Sequence, residues 1–355
     1  MGCGWLGQRI ASHLSGLNYW VATTNTSAEK TELMKQKGYN AFRVIFSSDR
    51  LRGLAERPLL LTLMASLHAW RGGTLPERRE ELYADTVDLL LDWWEQPKVV
   101  RDAGGNIIVR HPSLAEFLKI ERQKVRRLLE ELAFQAHAAQ PELTGTADIL
   151  ESSLISGLMH LSNDPDIKHA QLVEYLSSRA GLLIPRGVGV YTFPHRTFQE
   201  YLTACYLTDH DYPERIAELA CSDFNRWREV ALLAGAKAAR GTASAIWTLA
   251  DALCYTPVKP GCAEAQLWGA HLAGMALAET ADVLHPSPRN QGKIDLVKTG
   301  LVQVLSQERL PAIERARAGD LHRPADRMEK SDRAEKVQNG FRIPKKAEVV
   351  KGRLG

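Results

Sequence analysis

From Leu51 to Asp320 apolar residues recur at helical spacing in one segment after another, which limits the chain to a mainly α fold with a short interruption. Proline opens Pro58-Leu-Leu-Leu-Thr-Leu-Met-Ala-Ser-Leu67, a place where its missing N–H costs nothing. Thr74-Leu-Pro-Glu77 and Ser113-Leu-Ala-Glu116 have capping-box spacing, a hydroxyl followed three residues on by Glu. They predict one helix starting at Thr74 and ending near Trp94, before Pro97, and a longer one from Ser113 to about His137. Residues 97–112 read as a loop that turns at Asp102-Ala-Gly-Gly-Asn106. Further helices are expected at about 147–160 and 168–180, the second closed by Gly181 as a left-handed cap. Five more are expected at 213–220, 225–239, 242–254, 263–279 and 290–306.

The interruption comes after Gly181. Leu182-Leu-Ile-Pro185 and Val190-Tyr-Thr-Phe193 flank Arg186-Gly-Val-Gly189 and read as a small β-hairpin with a glycine turn. Helix, hairpin, helix is the order found at the wing of a winged-helix module. In the helix that follows, Phe193, Phe198, Tyr201, Leu202 and Tyr206 fall mostly on one face and read as core. Gln199 and Glu200 read as polar contacts to a neighbouring domain, with a solvated face as the default for Glu200.

Composition excludes several classes. The chain has 355 residues, 45% of them hydrophobic and 25% charged, as in an ordinary globular protein, and its net charge of +3 makes no case for nucleic acid or membrane. Residues 321–355 hold ten Lys/Arg against five Asp/Glu and lose apolar periodicity, so they read as a disordered basic tail. Cys3, Cys205, Cys221, Cys254 and Cys262 include no CxxC pair and fit reduced thiols in a cytoplasmic protein. No apolar run reaches membrane-spanning length, and the start lacks a secretion signal.

Residues 1–49 have a different character, reading as a glycine-rich turn, a helix, a strand at Tyr19–Thr23, a helix at Ser27–Lys37 capped by Thr26-Ser-Ala-Glu29, and a strand at Ala41–Phe46. Gly2-Cys-Gly4-Trp-Leu-Gly7 fits GxGxxG, whose glycines let backbone approach a pyrophosphate at a helix N-terminus. This start resembles NAD(P)-binding Rossmann proteins of the short-chain dehydrogenase/epimerase kind. The resemblance implies dinucleotide contacts at Gly2, Gly4, Gly7 and Thr24, with Thr23 and Thr24 at the strand end favouring NADP. It stops near Asp49, with no strand ahead of the loop and no Tyr/Lys pair after it. A truncated, incomplete α/β fragment fused to the helical region is expected.

The most specific stretch is Tyr191-Thr-Phe-Pro-His-Arg-Thr-Phe-Gln-Glu-Tyr201. It resembles the winged-helix signature Phe-x-His-x-x-x-Gln-Glu-Tyr/Phe of the NACHT-type signalling NTPases. Arg57-Pro58-Leu-Leu-Leu and the following Leu75-Pro-Glu-Arg-Arg-Glu-Glu-Leu-Tyr83 resemble that family's proline-led helical domain. With Trp227-Arg-Glu-Val and Leu310-Pro-Ala-Ile, the resemblance covers about 51–320. It implies that Pro58 lies against an adenine and that His195 reaches a phosphate of bound ADP. Imidazole chemistry suits that task, because a ring N–H donates to phosphate oxygen.

The engine of such a switch is missing. No Gly-x-x-x-x-Gly-Lys-Ser/Thr occurs, and that loop wraps and positions the phosphates. Val87-Asp-Leu-Leu-Leu-Asp92 imitates a Mg²⁺-binding strand but lies in a helical segment. His68, His137, His160, His169 and His210 are scattered, and no hydrolase or metalloprotease motif is present. The candidate recognition helix Lys168–Arg179 has two cations and one acid, too thin a footprint for nucleic acid. The expected organisation is 1–49 Rossmann-like fragment, 51–140 helical domain, 141–212 winged-helix module, 213–320 helical bundle and 321–355 tail. The expected role is regulatory or scaffolding, through protein partners, which include a NACHT nucleotide-binding domain in trans or a second copy of this chain. No catalytic residue, metal or resident cofactor is expected. ADP/ATP binding with a P-loop from another chain, and NADP binding at the start, are the alternatives.

Overall fold

The computed structural model describes residues 22–25, 28–36, 40–43, 58–72, 74–76, 78–95, 98–101, 107–164, 166–177 and 182–322. These form fourteen helices and seven short strands, the mainly α fold that the periodicity demands. By contacts they divide into two units. One runs to Ile216 and takes in Asn225–Gly241, and the other comprises Ala217–Phe224 and the chain from Thr242 onward.

In the first unit, strands β1 (Ala22–Asn25) and β2 (Asn40–Arg43) pair in parallel, with helix α1 (Ala28–Gln36) between them in sequence. Parallel pairing requires such a crossover, so the local α/β reading is correct. The glycine-rich turn, the Thr26 cap and the 321–355 tail lie outside the described residues, apart from the last two residues of a terminal helix.

Helix α2 (Pro58–Trp70) begins at the expected proline. Its Leu61, Met64 and Leu67 close a core with Leu82 and Leu89 of α3 (Arg79–Glu95), and Leu75 packs against it. Helix α3 begins at Arg79, five residues after the expected start at Thr74. Pro76 explains the delay, since a proline biases the residue before it away from helix. Residues 97–112 are more than a loop. Strands β3 (Lys98–Arg101) and β4 (Ile107–His111) pair antiparallel across it.

The Ser113 capping box forms as expected, with Glu116 N–H donating to Ser113 Oγ at 3.1 Å and Ser113 N–H donating to Glu116 Oε2 at 3.0 Å. The helix it opens, α4 (Leu114–Leu118), is short, because Lys119 takes a left-handed φ of 55°. A distant segment fixes that break. Asn163 Nδ2 donates to the Lys119 carbonyl (3.0 Å), and Lys119 Nζ pairs with Asp164 (3.0 Å). The chain restarts as α5 (Arg122–Ala139).

Strand β5 (Ile149–Leu150), which sequence patterning did not reveal, precedes α6 (Glu151–Leu161) and α7 (His169–Ser177). The expected hairpin follows as β6 (Ile184–Gly187) and β7 (Val190–Thr192), in a sheet ordered β5-β7-β6. Pro185, which has no N–H to give, lies on the edge strand β6. Gly189 turns the hairpin with φ 69°, a value side chains oppose. Helix α8 (Arg196–Asp209) leaves the hairpin with Thr197 to Cys205 and Leu207 all buried, and packs along α5. Helices α9 (Glu214–Ser222) and α10 (Phe224–Gly241) follow.

The second unit holds α11 (Ala245–Leu253), α12 (Glu264–Thr280), α13 (Pro288–Ser306) and α14 (Ala312–His322), the last of these missing from the expected helices. Small residues let these helices approach. A Cβ on Gly300 would come within 2.5 Å of Ala270 Cβ, and one on Gly269 within 2.3 Å of the Leu253 carbonyl oxygen.

Candidate functional site

The first turn of α8 holds the residue to which the motif gives a phosphate contact. His195 is its N-cap, with extended backbone (φ −150°, ψ 145°), and Nδ1 accepts the Thr197 N–H at 3.2 Å. Thr197 Oγ1 lies 2.7 Å from the same nitrogen. A nitrogen that accepts carries no proton, so the neutral ring bears its hydrogen on Nε2. The ring is half-buried and meets Phe198 edge-on at 6.3 Å.

Charged groups crowd the same end of α8. Arg196 donates to Glu200 at 2.7 Å, one turn on, and also to the Leu143 carbonyl. Arg79 of α3 pairs with Glu229 of α10 at 2.7 Å, and Arg228 reaches Glu229 at 3.2 Å. Burial pushes the Glu200 carboxyl above its ordinary range, against the pull of Arg196. Burial also opposes charge on Glu229, yet Arg79 and Arg228 hold that carboxyl below its usual value. Tyr83, buried beside Arg79 and Glu229 and hydrogen-bonded to Thr197, has its phenol pushed up to about 12 by burial. Three guanidinium groups and two carboxylates therefore lie next to the His195 cap.

Gln199, one turn further, joins separate segments from a fully buried position. Its Oε1 accepts the Ala147 N–H at 2.7 Å, and its Nε2 donates to Gln140 Oε1 at 3.2 Å and to His137 Nδ1 at 2.9 Å. His137 Nε2 lies 3.1 Å from the Arg226 carbonyl. A carbonyl only accepts, so His137 carries its proton on Nε2 and receives at Nδ1, which in turn fixes the Gln199 amide orientation. Arg226 completes the set by donating to the carbonyls of His137 and Gln140 at 2.8 Å each, a cation at the C-terminal end of α5. The Trp227 ring stands edge-on to His137 at 5.1 Å.

These positions revise the sequence reading of α8. Glu200 is buried inside the first unit and does not lie on a solvated face, and Gln199 makes its polar contacts within the same unit. The helix is enclosed by α3, α5 and α10, which polarity alone could not indicate. His137, set down as one of several scattered histidines, is buried and central. Its only sequence signal was its place at the end of a helix with an apolar stripe. Asp88 and Asp92 sit on a helix face as expected and pair with Arg126 and Arg122.

Pro58 is the first residue of α2. Helix α2 packs on α3, and α3 packs on α8, so α3 is the element common to Pro58's helix and His195's helix. Thr24 lies within β1 opposite Phe42, not at the strand end. Gly2, Gly4 and Gly7 lie outside the described residues. Among the described residues no group of three His, Cys, Asp or Glu could hold a metal ion, and no helix is long and apolar enough to cross a membrane. On the wing, Arg186 is engaged with Asp148 (3.1 Å) and the Thr146 carbonyl (2.9 Å), and Val188 stands fully exposed at the tip.

Residues 79–207 match the family model described as the winged helix-turn-helix domain C-terminal to NACHT. The matched span runs from the start of α3 to near the end of α8 and includes the His195 cap, the three-stranded sheet and Gln199 with its partners His137, Gln140 and Ala147, but not Arg226 or Trp227. It takes in no part of residues 1–49. No curated protein and no solved structure matches the chain. Residues 79–207 thus resemble a winged-helix domain of the kind found C-terminal to NACHT, as the motif at Phe193–Tyr201 implied.

Proposed function

From a winged-helix domain of the kind that follows NACHT, we propose that this chain is the regulatory part of a NACHT-type switch. In this reading it acts as a scaffold through contacts with a NACHT nucleotide-binding domain supplied in trans and hydrolyses no nucleotide itself. The observation that carries this reading is the His195 cap. Its geometry leaves the ring proton on Nε2, the form able to donate to a phosphate oxygen without disturbing Thr197. Protonating the ring would place a hydrogen on Nδ1 and break the cap, so the charge state of His195 is coupled to the first turn of α8.

That turn is tied to the rest of the unit by Arg196 to the Leu143 carbonyl, Thr197 to Tyr83 and Gln199 to Gln140. A phosphate gained or lost at His195 would thus act on the helix that holds α3, α5 and α10 together, the differential contact a ligand-driven switch needs. The chain offers no P-loop to hold that phosphate, which is why a partner must bring it. A cytoplasmic setting suits the four described cysteines, all free.

The test is to mix the purified chain with a NACHT nucleotide-binding domain loaded with ADP and follow association by calorimetry. Saturable binding is expected, weakened about tenfold by His195→Ala, the loss of one charge-assisted contact. The chain alone should not bind ADP. Tight ADP binding by the isolated chain, or association indifferent to His195→Ala, would refute the reading.

A further inference from the structure

A groove of about 1240 Å³ opens in the first unit between α5 and α6 and runs to the C-terminal end of α8. It is distinct from the His195 cap. His195 and His210 flank the two ends of a 14-residue helix, which at 1.5 Å per residue sets them about 20 Å apart.

The two walls carry different chemistry at helical spacing. On α5, Lys124 and Arg127 stand one turn apart and exposed, above Leu128 and Leu132 on the floor. On α6, Ser153, Ser156 and His160 line the opposite wall, also exposed. Gly157 sits between them and permits the close approach, since a Cβ there would meet Leu128 Cδ1 at 2.5 Å. At the far end His210 stacks on Tyr206, with ring centroids 4.2 Å apart, and Tyr206 stacks on Phe134.

The charges of this groove are unevenly spent. Glu130 pairs with Arg126 at 2.9 Å, and Asp209 pairs with Lys237 at 2.9 Å. Glu131 accepts from Gln135 at 3.0 Å and keeps its charge on the rim. Lys124 and Arg127 form no ion pair with any described residue. Two cations, two hydroxyls and an imidazole thus converge across the groove against one remaining acid.

We propose that this groove binds a small phosphorylated molecule, its phosphate groups held between Lys124 and Arg127 on one wall and Ser153, Ser156 and His160 on the other. A tetrahedral anion with several oxygens uses this many donors better than a single carboxylate does, and an Arg fork matches it in a bidentate way. The volume exceeds the usual few hundred Å³ of a compact ligand pocket, so the ligand carries more than one phosphate, or a phosphate on an organic body.

The test uses the full chain and inorganic pyrophosphate, followed by calorimetry at low ionic strength. Saturable one-to-one binding is expected. It should weaken at least tenfold in the Lys124→Ala/Arg127→Ala double variant and in Ser156→Asp, which adds a repelling charge to the opposite wall. Lys298→Ala removes an exposed cation of the second unit and should leave binding unchanged. All four substituted positions are exposed, and circular dichroism checks that each variant keeps its helices. No saturable binding, undiminished binding in the double variant, or an equal loss in Lys298→Ala would each overturn the proposal. Saturable binding of a poly-glutamate peptide in preference to pyrophosphate would overturn it in favour of an acidic protein partner.

Discussion

Ten of the twelve polar or charged residues buried among the described residues belong to the first unit, and two, His271 and Glu314, belong to the second. The second unit is held by apolar contacts among α11 to α14, with glycines setting the spacing and one buried pair, His271 Nε2 to Glu314 at 2.9 Å. Apolar burial is strong but non-directional. The first unit surrounds α8 with directional hydrogen bonds, such as those of Gln199, that are costly to leave half-made. An interior of the first kind resists change, whereas one of the second kind can be poised between alternatives by a single added contact. The switch proposed above would accordingly act within the first unit.

The largest effect should come from Gln199→Leu. It strands the Ala147 N–H and removes partners of His137 and Gln140, costing about 3 kcal/mol at the usual penalty for orphaned buried groups. Thermal unfolding followed by Trp fluorescence would read it, and His137→Leu in the same background should add much less than it does alone. A cost below about 1 kcal/mol would show that the polar interior is incidental.

In the second unit, Gly269→Ala presses a methyl group against the Leu253 carbonyl and Cys221. About 2 kcal/mol is expected from such overpacking, confined to the second unit in hydrogen exchange. A neutral outcome would mean that the spacing of α11 and α12 is not fixed by that glycine.

The smallest effect is one of sign. Burial raises the Glu80 carboxyl above its ordinary range, with Arg240 3.7 Å away. A raised acid contributes stability below its unfolded value, near 4.5, and loses it as pH rises through its folded value. Glu229 is lowered, so its contribution is present above 4.5 and lost as pH falls through the folded value. Glu80→Gln should therefore raise the melting temperature at pH 7 and not at pH 4, by about 2–4 °C for each kcal/mol. Glu229→Gln should lower it at pH 7. The same response from both variants would remove electrostatics from the comparison.

How much the sequence disclosed depended on how local each determinant is. The hairpin at Ile184–Thr192 was readable because glycines and β-branched residues act within a few positions. The Ser113 box was readable for the same reason, but the break six residues later was not, since Asn163 and Asp164 fix Lys119 from 44 and 45 positions away. Strand β5 is two residues long and exists only because β7 pairs with it. The β3–β4 pairing did leave a trace in Val99-Val100 and Ile107-Ile108-Val109, which the glycine-containing sequence between them obscured. At the start of α8, His195 was singled out by its motif, and the structure makes it the N-cap. The meaning of Gln199 rests on His137 and Gln140, 62 and 59 residues upstream, and no local pattern reports such a pairing.

The chain enters the second unit at Ala217, returns to the first at Asn225 and leaves again after Gly241. On a ribosome, where residues emerge in order at roughly 5–20 per second, α8 therefore exists before α10 can cover it. The carbonyls that Arg226 satisfies and the carboxylate partner of Arg79 both wait for that delayed helix. For that interval α8 packs only on α3 and α5, and the nascent protein exposes a face of α8 that α10 later covers. A chaperone, or a partner folding alongside, would meet α8 before its own core closes over it.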